Sequence, residues 1–150
     1  MSDDLSIIRT TLDDTETLAS LFDAYRQFYG QRPDLEGAER FVSERLEQGD
    51  SVIFLALKAG DGCGFTQLYP TFSSVAMRPI WILNDLFVAP EARRLGVGRS
   101  LMQTATDFAT ENGAKRIVLA TAVDNRAAQA LYEQIGWGRN DAFIHYNYEL

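Results

Sequence analysis

Asn84-Asp85-Leu86-Phe87-Val88-Ala89-Pro90-Glu91-Ala92-Arg93-Arg94-Leu95-Gly96-Val97-Gly98-Arg99-Ser100-Leu101 is the stretch that decides the fold. It reads as an apolar strand, a turn at Pro90, a basic loop with two glycines, and the first turn of a helix. Such a loop leaves backbone N–H groups free at a helix N-terminus, where the helix dipole adds positive potential, and phosphate is the natural ligand there. Gly96 and Gly98 let the backbone bend and come close to a bulky anion. Arg93, Arg94 and Arg99 add positive charge to a chain that is otherwise acidic. The stretch predicts a phosphate cradle built from Arg93, Arg94, Leu95, Gly96, Val97, Gly98, Arg99 and Ser100.

Two familiar phosphate loops do not fit. A P-loop ends in Gly-Lys-Ser/Thr, which is absent, and a dinucleotide fingerprint needs a small residue three positions after Gly98, where Leu101 stands. Working outward, Ile80 to Val88 is the long strand feeding the cradle. The helix after Gly98 carries Leu101, Ala105, Phe108 and Ala109 on one face before Asn112-Gly113 closes it. Ile117-Val118-Leu119-Ala120 is a continuous apolar run, the pattern of a central strand covered on both sides. A helix follows from about Asn125 to Ile135, stopped by Gly136, and Phe143 to Glu149 reads as a last strand.

Upstream, Leu5 to Arg9 starts a sheet. Asp13 with Glu16 reads as a capping box for a helix with Leu18, Leu21, Phe22, Tyr25, Phe28 and Tyr29 on one face. Pro33-Asp34 restarts a helix with Ala38, Phe41, Val42 and Leu46 inward. Ser51 to Leu57 is a strand, Gly60-Asp61-Gly62 a hairpin turn, Phe65 to Tyr69 the returning strand, and Pro70 to Pro79 a polar loop. The order β-α-α-β-β-β-α-β-α-β predicts an α/β fold. It is one domain over 1–150, with a mixed, mostly antiparallel central sheet flanked by helices.

Composition narrows the function classes. A chain of 150 residues is long enough for one domain with a sizeable core. Its formal charge of −7 argues against general nucleic-acid binding and favours encounter with a cationic substrate. No apolar run approaches the ~18 residues of a membrane helix, and Met1-Ser2-Asp3-Asp4 lacks the basic start of a signal peptide. Cys63 is the only cysteine, so an intrachain disulfide is impossible and the reducing cytoplasm is the expected compartment. His145 is the only histidine and has no second His or Cys near it in sequence; no metal is expected.

A second motif lies in Asp124-Asn125-Arg126-Ala127-Ala128-Gln129-Ala130-Leu131-Tyr132-Glu133-Gln134-Ile135-Gly136-Trp137. Asn125 and Tyr132 share one helix face two turns apart, with Ala128, Leu131 and Ile135 completing an apolar stripe. This run resembles the Asn-x-x-Ala-x-x-x-Tyr-x-x-x-Gly-Phe/Trp pattern of the GNAT N-acetyltransferases. Arg93-x-x-Gly96-x-Gly98 resembles the same family's acetyl-coenzyme A loop, Gln/Arg-x-x-Gly-x-Gly/Ala, and the order of elements is similar to that family's as well. Within it, the Asn-Asp-Leu-aromatic-Val strand looks most like the yeast branch that acetylates histone tails, polyamines and D-amino acids, with a wider likeness to diamine acetyltransferases.

The resemblance implies acetyl-CoA as co-substrate, with its pyrophosphate on the cradle. Asn125 and Ala128 would lie beside the pantetheine arm, the backbone of Leu86, Phe87 and Val88 would pair with it, and Tyr132 would be the general acid. That role is chemically sound, since a phenol of pKa ~10 can protonate a thiolate whose thiol has a pKa near ~8.5. The resemblance also implies direct attack by an amine in a ternary complex, acting on a primary amine of a small cationic molecule or, second, on a protein lysine or N-terminus. Many family members place a glutamate base where this chain has Asn84. Asp85 is the adjacent carboxylate, open to a role as base or as substrate-orienting group, and a water chain to solvent is equally open. Tyr29, Tyr69, Trp81 and Asn84 are the expected acceptor-side residues, among aromatics that also include Tyr25, Phe28 and Phe72. The missing glutamate leaves one alternative from another class, a non-catalytic coenzyme A sensor or interaction module. The apolar run from Phe143 to Tyr148 suits a homodimer surface, and a monomer fits as well.

Overall fold

The computed structural model describes residues 4–150; Met1, Ser2 and Asp3, read above as the start of a chain without a leader, lie outside the described residues. The elements are β1 (Leu5–Arg9), α1 (Thr15–Phe28), α2 (Leu35–Gln48), β2 (Val52–Lys58), β3 (Asp61–Ser73), β4 (Arg78–Val88), α3 (Val97–Glu111), β5 (Ile117–Val118) and α4 (Arg126–Gln134). They divide into two units, one ending at Leu119 and one beginning at Ala120.

The first unit is a five-stranded sheet in the order β1-β2-β3-β4-β5. Its first three pairings are antiparallel, and β4 with β5 is parallel. A parallel pair needs a crossover, which α3 provides. Side chains alternate across a strand, so neighbouring residues of β3 report on opposite faces. Phe65 meets Phe22 and Tyr25 of α1, whereas a Cβ on Gly64 would point at Val97 and Leu101 of α3. α1 and α2 therefore cover one face and α3 the other. Leu18, Leu21, Val42, Ile53, Leu55, Phe65 and Phe87 form the core under α1 and α2.

Several boundaries differ from the sequence reading, each for a local reason. Leu12–Asp14 winds as a 3-10 turn ahead of α1, so the capping box is Thr11 with Asp14 and not Asp13 with Glu16. The β2–β3 turn is Ala59-Gly60, both at positive φ, the geometry that matches the twist of a two-residue hairpin. Pro70 does not start a loop: β3 continues to Ser73 and pairs Pro70 with Trp81. Pairing with β2 ends at Leu68, so β3 has one neighbour beyond that point and tolerates proline's missing N–H. The run from Ile117 gives a two-residue strand at the end of the sheet order, not a central one, with Val118 exposed.

In the second unit, α4 is capped by Asn125, whose side chain accepts from the Ala128 N–H. Gly136 sits at φ 101° just past the helix, and the Trp137 N–H donates to the Tyr132 carbonyl. Phe143 to Glu149, expected as a strand, carries no strand pairing, and Phe143, Ile144, Tyr146 and Tyr148 are exposed.

Candidate active site

The cradle begins where a 3-10 turn, Pro90–Ala92, takes the chain off the end of β4. Arg94 at φ 66° and Gly96 at φ 80° turn the loop through the left-handed region. Glycine adopts that region freely; arginine does so at a strain. Gly96 is the N-cap of α3 and offers no side-chain cap, so the N–H groups of Val97 and Gly98 find no acceptor among the described residues. Ser100 already donates its N–H to the Gly96 carbonyl, 3.0 Å away. Gly64 lies beneath: a Cβ there would stand 2.8 Å from the Phe87 carbonyl oxygen and 3.3 Å from Val97. The bare strand is what lets the first turn of α3 approach the sheet.

The loop arginines differ in what they do. Arg93 donates from Nε to the Val88 carbonyl at 3.0 Å and lays its guanidinium over Phe28 and Phe87. It braces the loop against α1 and β4. Arg94 is exposed. Leu95 is exposed as well, so the loop presents an apolar side chain next to its basic one.

β4 supplies a strand edge that leads to the cradle. Its pairing with β5 stops at Ile82 and Val118, so residues 83–88 have no strand partner on that side among the described residues. On the other side, Gln67 pairs with Asp85 and Leu68 with Leu83, leaving Asn84 as an extra residue in a β-bulge. A bulge kinks a strand and re-aims its side chains. Here the bulge breaks the simple alternation: Asn84 is exposed and Asp85 buried, yet the Asn84 side chain reaches the Asp85 carboxylate. Orphan helix N–H groups, a left-handed glycine and an open strand edge together fit a phosphate-bearing cofactor with an extended arm.

Asp85 sits on the α1 face at the centre of a polar cluster. Gln67 donates from Nε2 to Asp85 Oδ2 at 2.8 Å, and Asn84 donates from Nδ2 to the same oxygen at 3.1 Å. The Tyr25 hydroxyl also donates to Asp85; burial first, and then the Asp85 charge, push the Tyr25 pKa far above the ordinary phenol value. Burial and Asp85 raise the Tyr69 phenol in the same direction. Tyr29 stacks edge-on against Tyr25 and is exposed. Trp81 lies on the other face, against Phe108 of α3, and so is not brought together with Tyr25 and Asp85.

Two members of this cluster escaped sequence reasoning. Gln67 and Ser51 are both buried, and the Ser51 hydroxyl donates to Gln67 Oε1 at 2.9 Å. The available signal was the polar pair Thr66-Gln67 inside an apolar strand. Asp23 and Asp34, acidic residues near the aromatics, turn out to be engaged: Asp23 pairs with Arg26 at 2.8 Å, and Asp34 caps α2. Asn125 and Tyr132 lie in the second unit, at the cap and in the last turn of α4, with the Tyr132 ring 6.3 Å from that of Trp137. Among the described residues no group of three His, Cys, Asp or Glu is arranged to hold a metal, and no helix is long and apolar enough to cross a membrane.

Comparison with known proteins gives consistent results. Residues 18–137 match the Acetyltransferase (GNAT) family. The uncharacterized N-acetyltransferase YhfO of Bacillus subtilis is 50% identical over 142 residues, 95% of either chain. The D-amino-acid N-acetyltransferase HPA3 of Saccharomyces cerevisiae is 29% identical over 98 residues, 65% of this chain and 60% of its own. A crystal structure of a probable acetyltransferase superimposes with a TM-score of 0.92 at 42% identity, covering 97% of both chains.

Proposed function

Because the chain belongs to the acetyltransferase (GNAT) family, and so is an N-acetyltransferase with acetyl-CoA as its co-substrate, we propose that its acceptor is a primary amine on a small cationic molecule. A protein lysine or N-terminus ranks second. The observation that carries the reading is the uncapped start of α3 at left-handed Gly96, which fits the cofactor's phosphates next to the polar cluster on β4. Bound there, acetyl-CoA supplies an acetyl group on a thioester, open to direct attack by a neutral amine.

The chain's own residues divide the work. The N–H groups at the start of α3, those of Val97 and Gly98 above all, hold phosphate together with the Arg94 and Arg99 side chains and the Ser100 hydroxyl, and Arg93 fixes the loop that presents them. The backbone of residues 86–88 pairs with the pantetheine arm; the assignment of Asn125 and Ala128 to the same cofactor rests on the motif that carries them. Tyr132 holds a proton on its phenol oxygen for the departing thiolate, a role that rests on the motif around it. The enzyme's main contribution is alignment of two reactants in one ternary complex. Asp85, Asn84, Tyr29 and Tyr69 belong to the acceptor side, and no residue is assigned as base. We take 1–150 as one catalytic domain acting in the cytoplasm, with the apolar run 143–148 as its surface for a homodimer.

The test is purified protein with acetyl-CoA and a panel of polyamines, amino acids and basic peptides, following release of free thiol. Thiol release with a small amine is expected. Turnover confined to peptides or proteins would remove the small-molecule reading.

A further inference from the structure

Two carboxylates in this chain are equally buried, Asp23 and Asp85, each 6% exposed. They are treated differently. Asp23 has a cation, Arg26, at 2.8 Å. Asp85 forms no ion pair among the described residues, and every group aimed at it is a neutral donor: Gln67, Asn84 and the Tyr25 hydroxyl. Gln67 is itself 1% exposed, and its amide is oriented from behind by Ser51, so that Oε1 is occupied and Nε2 faces the carboxylate. A buried anion without a counter-charge is expensive, and an apolar replacement of similar shape is often more stable. Retaining one, with a two-residue relay behind it, calls for a cation from outside the chain.

The position suits an incoming ligand. Asp85 follows the Asn84 bulge, just beyond the point where β4 loses its β5 partner, and Val88 is three residues, or roughly 10 Å, further along the strand. Tyr25 and Tyr69, both partly exposed, bring their phenol groups near the carboxylate, so a ligand reaching it meets neutral polar groups and no competing cation. The cation held there is not the reacting nitrogen. An attacking amine must be neutral, and contact with an anion would keep its proton on.

We propose that Asp85, positioned by Ser51 and Gln67, selects acceptors carrying a second cationic group, one that stays charged while a separate primary amine takes the acetyl group. The substrate class is a small molecule with two basic nitrogens. This rests on the acetyl-transfer reading above, and the experiment separates the two. Linear diamines and amino alcohols of matched length differ only in whether the far end is charged. Both are assayed by thiol release with the full-length protein, and each is also added without cofactor in a thermal-shift measurement. The wild type is expected to favour the diamine in kcat/KM by about tenfold or more, mainly through KM, and to be stabilised by the diamine alone.

In Asp85→Asn the diamine-to-amino-alcohol ratio falls to about one and the diamine shift disappears. In Gln67→Leu and Ser51→Ala, which leave the carboxylate but release it, the ratio falls part-way while the amino alcohol's KM moves little; Ser51→Thr restores it. A ratio near one in the wild type, or one retained in Asp85→Asn, overturns the proposal and leaves acetyl transfer standing. If neither acceptor turns over, the acetyl-transfer reading for small amines fails. The thermal arm then decides this proposal: a diamine shift lost in Asp85→Asn upholds it, and no shift ends it.

Discussion

Tyr25 shows how much one side chain can report. It packs on Phe65 and Phe87 through its ring and spends its hydroxyl on Asp85. Its pKa is raised, so the native state holds the phenol proton where the unfolded chain has lost it. Burial is the larger cause and Asp85 the second, so the protein's stability is unaffected by this group below the unfolded value of about 10 and declines as pH rises past it. Tyr25→Phe is expected to lose about 1 kcal/mol at neutral pH, the usual net worth of one hydrogen bond, and to show a shallower fall in stability toward pH ~11. Urea unfolding at the two pH values checks this, and parallel declines in both proteins would mean that the folded state does not raise the Tyr25 phenol. Tyr132 makes a different kind of claim, since its role follows from the motif around it. Tyr132→Phe is expected to reduce kcat by about a hundredfold with little change in either KM, the range for losing a positioned general acid. Steady-state kinetics across pH decides it, and a wild-type kcat throughout would free Tyr132 of the acid role.

At the scale of elements, α3 and the sheet under it are matched by what two glycines lack. A methyl on Gly64 would meet the Phe87 carbonyl oxygen at 2.8 Å, and backbone cannot swing away as a side chain can. Gly64→Ala is expected to destabilise by about 1–3 kcal/mol through overpacking, and to weaken coenzyme A binding because the first turn of α3 is displaced with it. Gly96→Ala meets nothing within 4 Å, so its strain comes from φ alone. It is expected to lose about 1 kcal/mol of stability while still reducing coenzyme A affinity. Calorimetric titration beside thermal melts separates the two. The sequence made these elements readable to unequal degrees. The turn from β4 into α3 was legible because an apolar strand followed by proline and two glycines calls for that backbone, and α1, α2, α3 and α4 announced themselves through apolar periodicity. The bulge at Asn84 was not legible, since it is a property of register between two strands. The Ser51–Gln67–Asp85 relay was hidden for the same reason: its members are distant in sequence and meet only through pairing of β2 with β3 and of β3 with β4. Pro70 misled because proline's penalty depends on how many neighbours a strand has, which one strand's residues do not state.

For the molecule as a whole, the deciding quantity is charge. Twenty-one acidic side chains against fourteen basic ones leave −7 on 150 residues, although the loop that receives phosphate is basic. A surface field of that sign concentrates cations near the protein and raises their encounter rate, an effect that reaches about 10 Å at 0.1 M ionic strength and shrinks as salt is added. A diamine carries twice the charge of its matched amino alcohol and feels about twice the field. Raising the ionic strength from about 0.02 to 0.3 M is therefore expected to lower kcat/KM for the diamine several-fold, and for the amino alcohol by roughly the square root of that factor. The buried contact at Asp85 is screened far less than the surface, so the residual preference for the diamine at high salt measures the local site and the lost part measures the field. A series in sodium chloride, repeated with Asp85→Asn, isolates the two. The variant is expected to keep most of the salt slope while lacking the high-salt preference. Equal slopes for the two acceptors in the wild type would show that long-range charge does nothing to bring the acceptor in.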